Sequence, residues 1–175
     1  MKARLINDIS GSFLDYPDNS SISMGLFFTG CWGYCDNCQN KELQNPNYKI
    51  NTNLFTIDEL LIKIFSNAKR FQTNKISLMG GDPLFDSNIE FTKILLKILY
   101  ETTNFKTCLY TGQSLDFVKK NNIDYFTYLK CGWYDRSKGV LSEKTDEYFQ
   151  LASTNQELYD SEFNLLSENG RYYFK

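Results

Sequence analysis

A chain of 175 residues, 42% hydrophobic and 23% charged, has the size and composition of one ordinary globular domain with a core to bury. Its net charge of −2 and pI near 5.2 weigh against a nucleic-acid partner, because duplex affinity rests on clustered Lys and Arg. No apolar run approaches the roughly 20 residues that span a bilayer, so no membrane partner is expected either. The opening MKARLINDISGS has no apolar stretch ending in a small-residue cleavage site. Five cysteines, an odd number, are therefore expected in a reducing cytoplasm, as metal-binding or redox groups more than as a disulfide framework.

ISMGLFF (22–28) is predicted as a buried strand that runs straight into a cysteine-rich loop. After an irregular stretch to Phe55, TIDELLIKIFSNAKRF is predicted as a helix. Its Ile57, Leu60, Leu61, Ile64 and Phe65 recur at three and four, and Thr56 with Glu59 forms a capping box. KISLM (75–79) is a short strand followed at once by GGDP (80–83). Ser87 and Glu90 are expected to cap a second helix with Phe91, Ile94, Leu95, Ile98 and Leu99 on its inner face. FKTCLY (105–110) is a strand ending in Thr111-Gly112, SLDFVKK a short helix, and YFTYLK (125–130) another strand. No repeat, low-complexity tract or linker divides the chain, so residues 1–175 are expected as a single domain. Strands alternating with helices predict an α/β fold with a parallel sheet, whose ligands sit at the carboxyl ends of the strands. The cysteine loop and GGDP both lie at such ends.

GCWGYCDNC (30–38) packs Cys31, Cys35 and Cys38 into nine residues of a chain that has no histidine. Three close thiolates can converge on one compact centre. A structural zinc site wants four ligands, and a ferredoxin-type cluster also wants four cysteines. Three fit a cluster that keeps one iron open, as a catalytic zinc site keeps one position open. A zinc site completed by Cys131 or an Asp, or a set of reactive thiols, would use the same residues. Cys108 and Cys131 stand in strand-like apolar contexts and are expected as small buried hydrophobes. In GGDP, Gly80 and Gly81 let backbone approach a ligand, Asp82 offers a carboxylate acceptor, and Pro83 stiffens the exit. The lack of histidine weighs against Ser-His or Cys-His nucleophilic catalysis and against His-ligated zinc hydrolysis.

C-x3-C-x2-C followed by GGDP resembles the radical SAM superfamily. The resemblance implies a partial (βα) barrel of the radical SAM type with a mostly parallel sheet. It implies a 4Fe-4S cluster held by Cys31, Cys35 and Cys38, with the open iron taking S-adenosyl-L-methionine. The turn Gly80, Gly81, Asp82 and Pro83 would then lie about the methionine amino group. Further features are similar to the subgroup that activates anaerobic ribonucleoside-triphosphate reductase: GGDPL (80–84), Asn40, YTG (110–112), LKCGWYD (129–135) and STNQELYD (153–160). The likeness spans about residues 22 to 160. It implies that Thr111 and Gly112 lie near the ribose or methionine portion of the cofactor. Asn37 takes the place before the third cysteine where many members have an aromatic residue whose backbone meets adenine, and Gln39 stands where an aromatic is common. The implied reaction is reductive cleavage of S-adenosylmethionine, driven by an external one-electron reductant such as flavodoxin, which leaves a glycyl radical on the reductase large subunit. Such a site needs no general base. Activation of another glycyl-radical enzyme, action on a peptide, and a non-catalytic zinc-stabilised binding module are the alternative readings. A protein substrate would enter an open side of the barrel, with Trp133 and Tyr134 as possible docking residues.

Overall fold

In the computed structural model, which describes residues 1–18, 20–35, 37–139 and 149–172, the apolar runs become the middle of one sheet. In chain order the elements are β1 (Ala3–Ile6), β2 (Ser10–Ser12), β3 (Ser23–Phe28), β4 (Thr52–Phe55) and α1 (Ile57–Phe71). There follow β5 (Lys75–Gly80), α2 (Ile89–Thr102), β6 (Lys106–Tyr110), α3 (Leu115–Lys120) and β7 (Tyr128–Cys131). The chain closes with β8 (Phe149–Gln150), β9 (Glu157–Asp160), β10 (Ser167–Glu168) and β11 (Arg171–Tyr172). Strands β3, β5, β6 and β7 lie side by side and parallel, with Phe28 opposite Gly80, Leu78 opposite Leu109, and Tyr110 opposite Lys130. This register brings the carboxyl ends of β3, β5 and β6 level, so the loops that follow them meet.

The parallel centre matches the expected α/β alternation. Its edges carry antiparallel strands that the sequence pattern does not reveal. β1 and β4 extend the sheet beyond β3, β2 also pairs β3, and β9 covers β7. β10, β11 and β8 make a separate small sheet. Segments as short as ARLI and TNLF carry too few alternations to announce themselves. They pair across some fifty residues, Ala3 with Phe55. Among the described residues no helix is long and apolar enough to cross a membrane.

The core lies between the sheet and the helices: Leu26, Phe28, Ile76, Leu78, Leu109 and Leu129 pack with Leu60, Ile64, Phe91, Leu95, Leu99 and Val118. Helix α1 starts as expected. Thr56 Oγ1 accepts the Glu59 N–H at 3.2 Å, and Glu59 Oε2 accepts the Thr56 N–H at 2.8 Å. Leu60 and Ile64 are buried, whereas Phe65 is 49% exposed and rests on the ring of Phe105, with centroids 5.5 Å apart.

Helix α2 departs from its expected start. Asn88, not Ser87, is the N-cap residue, and the Ser87–Glu90 box does not form. Asn88 Nδ2 instead donates to the carbonyls of Thr29 at 2.8 Å and Asp82 at 3.0 Å, while Glu90 pairs with Lys93 at 2.9 Å. The local capping rule loses to a tertiary demand: this amide ties the end of β3 to the glycine turn. The inner face of α2 is Phe91, Thr92, Leu95, Leu96 and Leu99, with Ile94 turned outward. Strand β7 begins three residues later than expected, at Tyr128, and Tyr125 before it adopts a positive φ of 66°.

Candidate active site

Three strand ends build the site. Past β3, Gly30 N–H donates to Leu43 O at 2.7 Å and Cys31 N–H to Gln44 O at 3.1 Å, so the cysteine loop leaves the sheet pinned to the turn Lys41–Gln44. Past β5, Gly81 N–H donates to Phe28 O at 2.8 Å and Asp82 N–H to Gly30 O at 2.7 Å. The glycine turn therefore lies directly on the residues that enter the cysteine loop. Gly80 holds φ at 111°, a region that favours glycine, and a Cβ there would stand 2.6 Å from backbone atoms of Phe28.

Asp82 joins this pair to the end of β6. Its side chain is buried, with Oδ1 accepting from Leu84 N–H at 2.8 Å and Oδ2 from Gly112 N–H at 2.8 Å. Thr111 Oγ1 lies 3.0 Å from both carboxylate oxygens and donates to them. Both carboxylate oxygens thus accept from protein donors and knot the GGDP turn to Thr111-Gly112. Burial pushes its pKa up to about 6, against the pull of those hydrogen bonds and of the Lys130 charge. A folded-state value above the ordinary carboxylate range makes this group favour folding most below about pH 4, and that contribution is lost as pH rises through about 6. Asp82→Asn cannot take part in that titration. The stability difference, wild type minus variant, is expected to narrow from pH 4 to pH 7, by no more than about 3 kcal/mol. Thermal unfolding of both proteins across that range checks it, and a difference that widens would overturn it.

The strand-end loops enclose a cavity of about 540 Å³, within the span of small-molecule sites, roughly 300–1,000 Å³. Cys31, Cys35 and Cys38 line it together with Asn37, Gln39, Asn40, Gly80, Gly81, Asp82, Thr111 and Gly112. Pro83 does not. It is buried behind the turn, where its carbonyl accepts from Thr92 Oγ1 at 2.7 Å. Cys31 Sγ accepts the Gly33 N–H at 3.5 Å and Cys35 Sγ the Tyr134 N–H at 3.2 Å. Burial pushes the Cys31 thiol up to about 11 and raises that of Cys35 as well. Among the described residues no three Cys, Asp or Glu side chains stand as a metal-ligand group, so the three sulfurs share the cavity without being drawn together.

These residues fit an iron–sulfur centre by donor chemistry. The set is all thiol, the soft ligand that such clusters select, and two of the sulfurs already accept backbone N–H groups. Cys108 and Cys131 are buried, as expected for small hydrophobes. Cys131 lines a second, smaller cavity with Ser114, Asn155 and Glu157, and so does not complete a four-sulfur site in the first.

Sequence patterns alone did not single out several lining residues. Trp32 packs edge-on against Phe85 and Phe117, and Tyr34 makes a tilted contact with Trp133, which is 44% exposed at the rim beside Tyr134. Lys130 is the one cationic side chain among the described lining residues. Its Nζ donates to Gly132 O at 3.0 Å, and burial draws its pKa down to about 8. A lysine inside the apolar strand YLKC was the available signal.

The chain is similar in sequence to known proteins. The family described as the 4Fe-4S single cluster domain matches residues 21–157, and the chain belongs to that family. Among individual proteins, it is similar to the anaerobic ribonucleoside-triphosphate reductase-activating protein of Enterobacteria phage T4, at 26% identity over 125 residues, covering 70% of this chain and 78% of that protein. Among solved structures, QueE from Escherichia coli aligns with a TM-score of 0.46 and 15% identity, covering 64% of this chain and 53% of QueE. Family membership agrees with the resemblance carried by the cysteine loop and the glycine turn.

Proposed function

We propose that this chain is a cytoplasmic, single-domain radical SAM activase that generates a glycyl radical on the large subunit of an anaerobic ribonucleoside-triphosphate reductase. The observation that carries the reading is the convergence of Cys31, Cys35 and Cys38, the turn at Gly80 and Gly81, and Thr111-Gly112 on one cavity at three adjacent strand ends. The likeness to the phage T4 activating protein supports the choice of partner. When bound, the cluster supplies the electron that cleaves S-adenosylmethionine, received from an external one-electron reductant such as flavodoxin.

Cys31, Cys35 and Cys38 hold the cluster in this reading. Gly80 and Gly81 present backbone to the methionine amino group, and Thr111, Gly112 and Asn37 border the rest of the cofactor. Asp82, at the cavity wall, and Pro83, behind the turn, hold the turn in place. Trp32, Tyr34 and Trp133 give the cavity an aromatic wall on one side.

The test is electron paramagnetic resonance on anaerobically reconstituted, reduced protein with and without S-adenosylmethionine. A reduced 4Fe-4S signal that changes on adding the cofactor is the expected result, followed by a glycyl signal when the reductase large subunit is supplied. Protein that holds about one zinc per chain and gives no cluster signal would overturn the reading.

A further inference from the structure

The segment STNQ (153–156), which no part of the chemistry above uses, grips the loop that runs past Cys35. Gln156 Nε2 donates to Gly132 O at 3.1 Å, and Asn155 Nδ2 donates to Trp133 O at 3.0 Å. Ser153 Oγ accepts the Asp135 N–H at 3.3 Å. Ser153 N–H in turn donates to Gln156 Oε1 at 3.2 Å, and Gln156 N–H donates to Ser153 O at 3.1 Å, so the segment is braced against itself. Ser153 and Gln156 are buried. Three side chains from one turn thus fix the backbone on both sides of Tyr134. The Tyr134 N–H held between them is directed at Cys35 Sγ, 3.2 Å away and 99 residues distant in sequence. A buried amide kept for packing alone would need partners but no particular target. Here the side chains of Ser153, Asn155 and Gln156 each meet the loop whose Tyr134 N–H reaches a cavity cysteine.

We infer that Asn155 and Gln156 are positioning residues that aim the Tyr134 N–H at the Cys35 sulfur and so set the reduction potential of the iron–sulfur centre. The inference rests on the reading that Cys35 is a cluster ligand. Adding one electron to such a centre puts more negative charge on its sulfurs, and an N–H donated to a ligand sulfur stabilises that charge. The hydrogen bond therefore raises the potential and makes the centre easier for the one-electron reductant to reduce. Losing the clamp lets the 132–135 backbone drift, weakens the bond, and lowers the potential.

The test is a redox titration, followed by electron paramagnetic resonance, of anaerobically reconstituted full-length protein. Wild type is compared with Asn155→Ala, Gln156→Ala and Tyr134→Phe, each with its iron content measured. The expected result is a shift to lower potential in Asn155→Ala and Gln156→Ala at wild-type iron content. Tyr134→Phe keeps the backbone N–H and should stay at the wild-type potential. Asn155 is only partly buried, so its variant decides the matter if Gln156→Ala does not fold. An unchanged or raised potential in Asn155→Ala with a full cluster overturns the inference while leaving Cys35 as a ligand. A Cys35→Ala protein that keeps its full cluster overturns the underlying reading instead.

Discussion

Replacing Cys31, Cys35 or Cys38 with alanine, one at a time, is expected to leave reconstituted protein without its iron–sulfur absorption and without detectable activase activity. A centre held by three thiolates with one iron open has no spare ligand, so two remaining sulfurs cannot hold it. Neither of the two other cysteines lines this cavity. Cys131 lines a different cavity, and Cys108 is fully buried in β6. The loss should exceed the roughly 10- to 100-fold that even outer-sphere changes cause at metal centres. Cys108→Ala and Cys131→Ala serve as the matched controls. They remove a buried sulfur from packed surroundings, which costs stability on the order of 1 kcal/mol and leaves the iron content unchanged. Iron analysis, the visible spectrum and a thermal melt separate the two groups. If Cys131→Ala lost its metal together with the loop variants, four cysteines would share one site and the open-iron reading would fall.

That contrast also shows which parts of the molecule were legible in the sequence. The cysteine loop and the GGDP turn are contiguous motifs that follow apolar strands directly, so spacing and position were enough to put them at one end of a parallel sheet. The relations that shape the site are long-range. Asp82 looks like a cofactor ligand in isolation. Only the arrival of Thr111 and Gly112, 29 and 30 residues later, turns its carboxylate toward the protein. The role of STNQ is equally invisible locally, because its partners Gly132, Trp133 and Asp135 lie about twenty residues away. Helix α2 fails for a different reason. Its stretch ILLKIL is apolar at almost every step, so faces through Ile94 or through Leu96 satisfy helical spacing equally well. Packing against the sheet chooses Leu96.

Gly81→Ala is expected to cost both stability and the cluster, because of where a single methyl group would have to go. A Cβ at Gly81 would stand 2.5 Å from Gly30 O and 2.6 Å from Leu43 O, far inside van der Waals contact. Neither oxygen can step aside cheaply. Gly30 O accepts the Asp82 N–H at 2.7 Å and Leu43 O accepts the Gly30 N–H at 2.7 Å, so relief requires breaking one of the bonds that fix the start of the cysteine loop. Overpacking of this kind costs about 1–3 kcal/mol or more. For a chain of this length that corresponds to a melting temperature lower by roughly 2–12 °C. Cys31 follows Gly30 directly, so the displacement should carry over to the sulfurs and reduce the iron retained after reconstitution. Gly112→Ala is the discriminating partner. Its Cβ would meet Asp82 Oδ2 at 3.5 Å and Trp133 Cβ at 3.6 Å, ordinary contacts that leave folding and iron content near wild type. The two glycines line the same cavity, but only Gly81 is wedged between backbones. A Gly81→Ala protein matching Gly112→Ala in both melting temperature and iron would overturn this account of how the turn seats the cysteine loop.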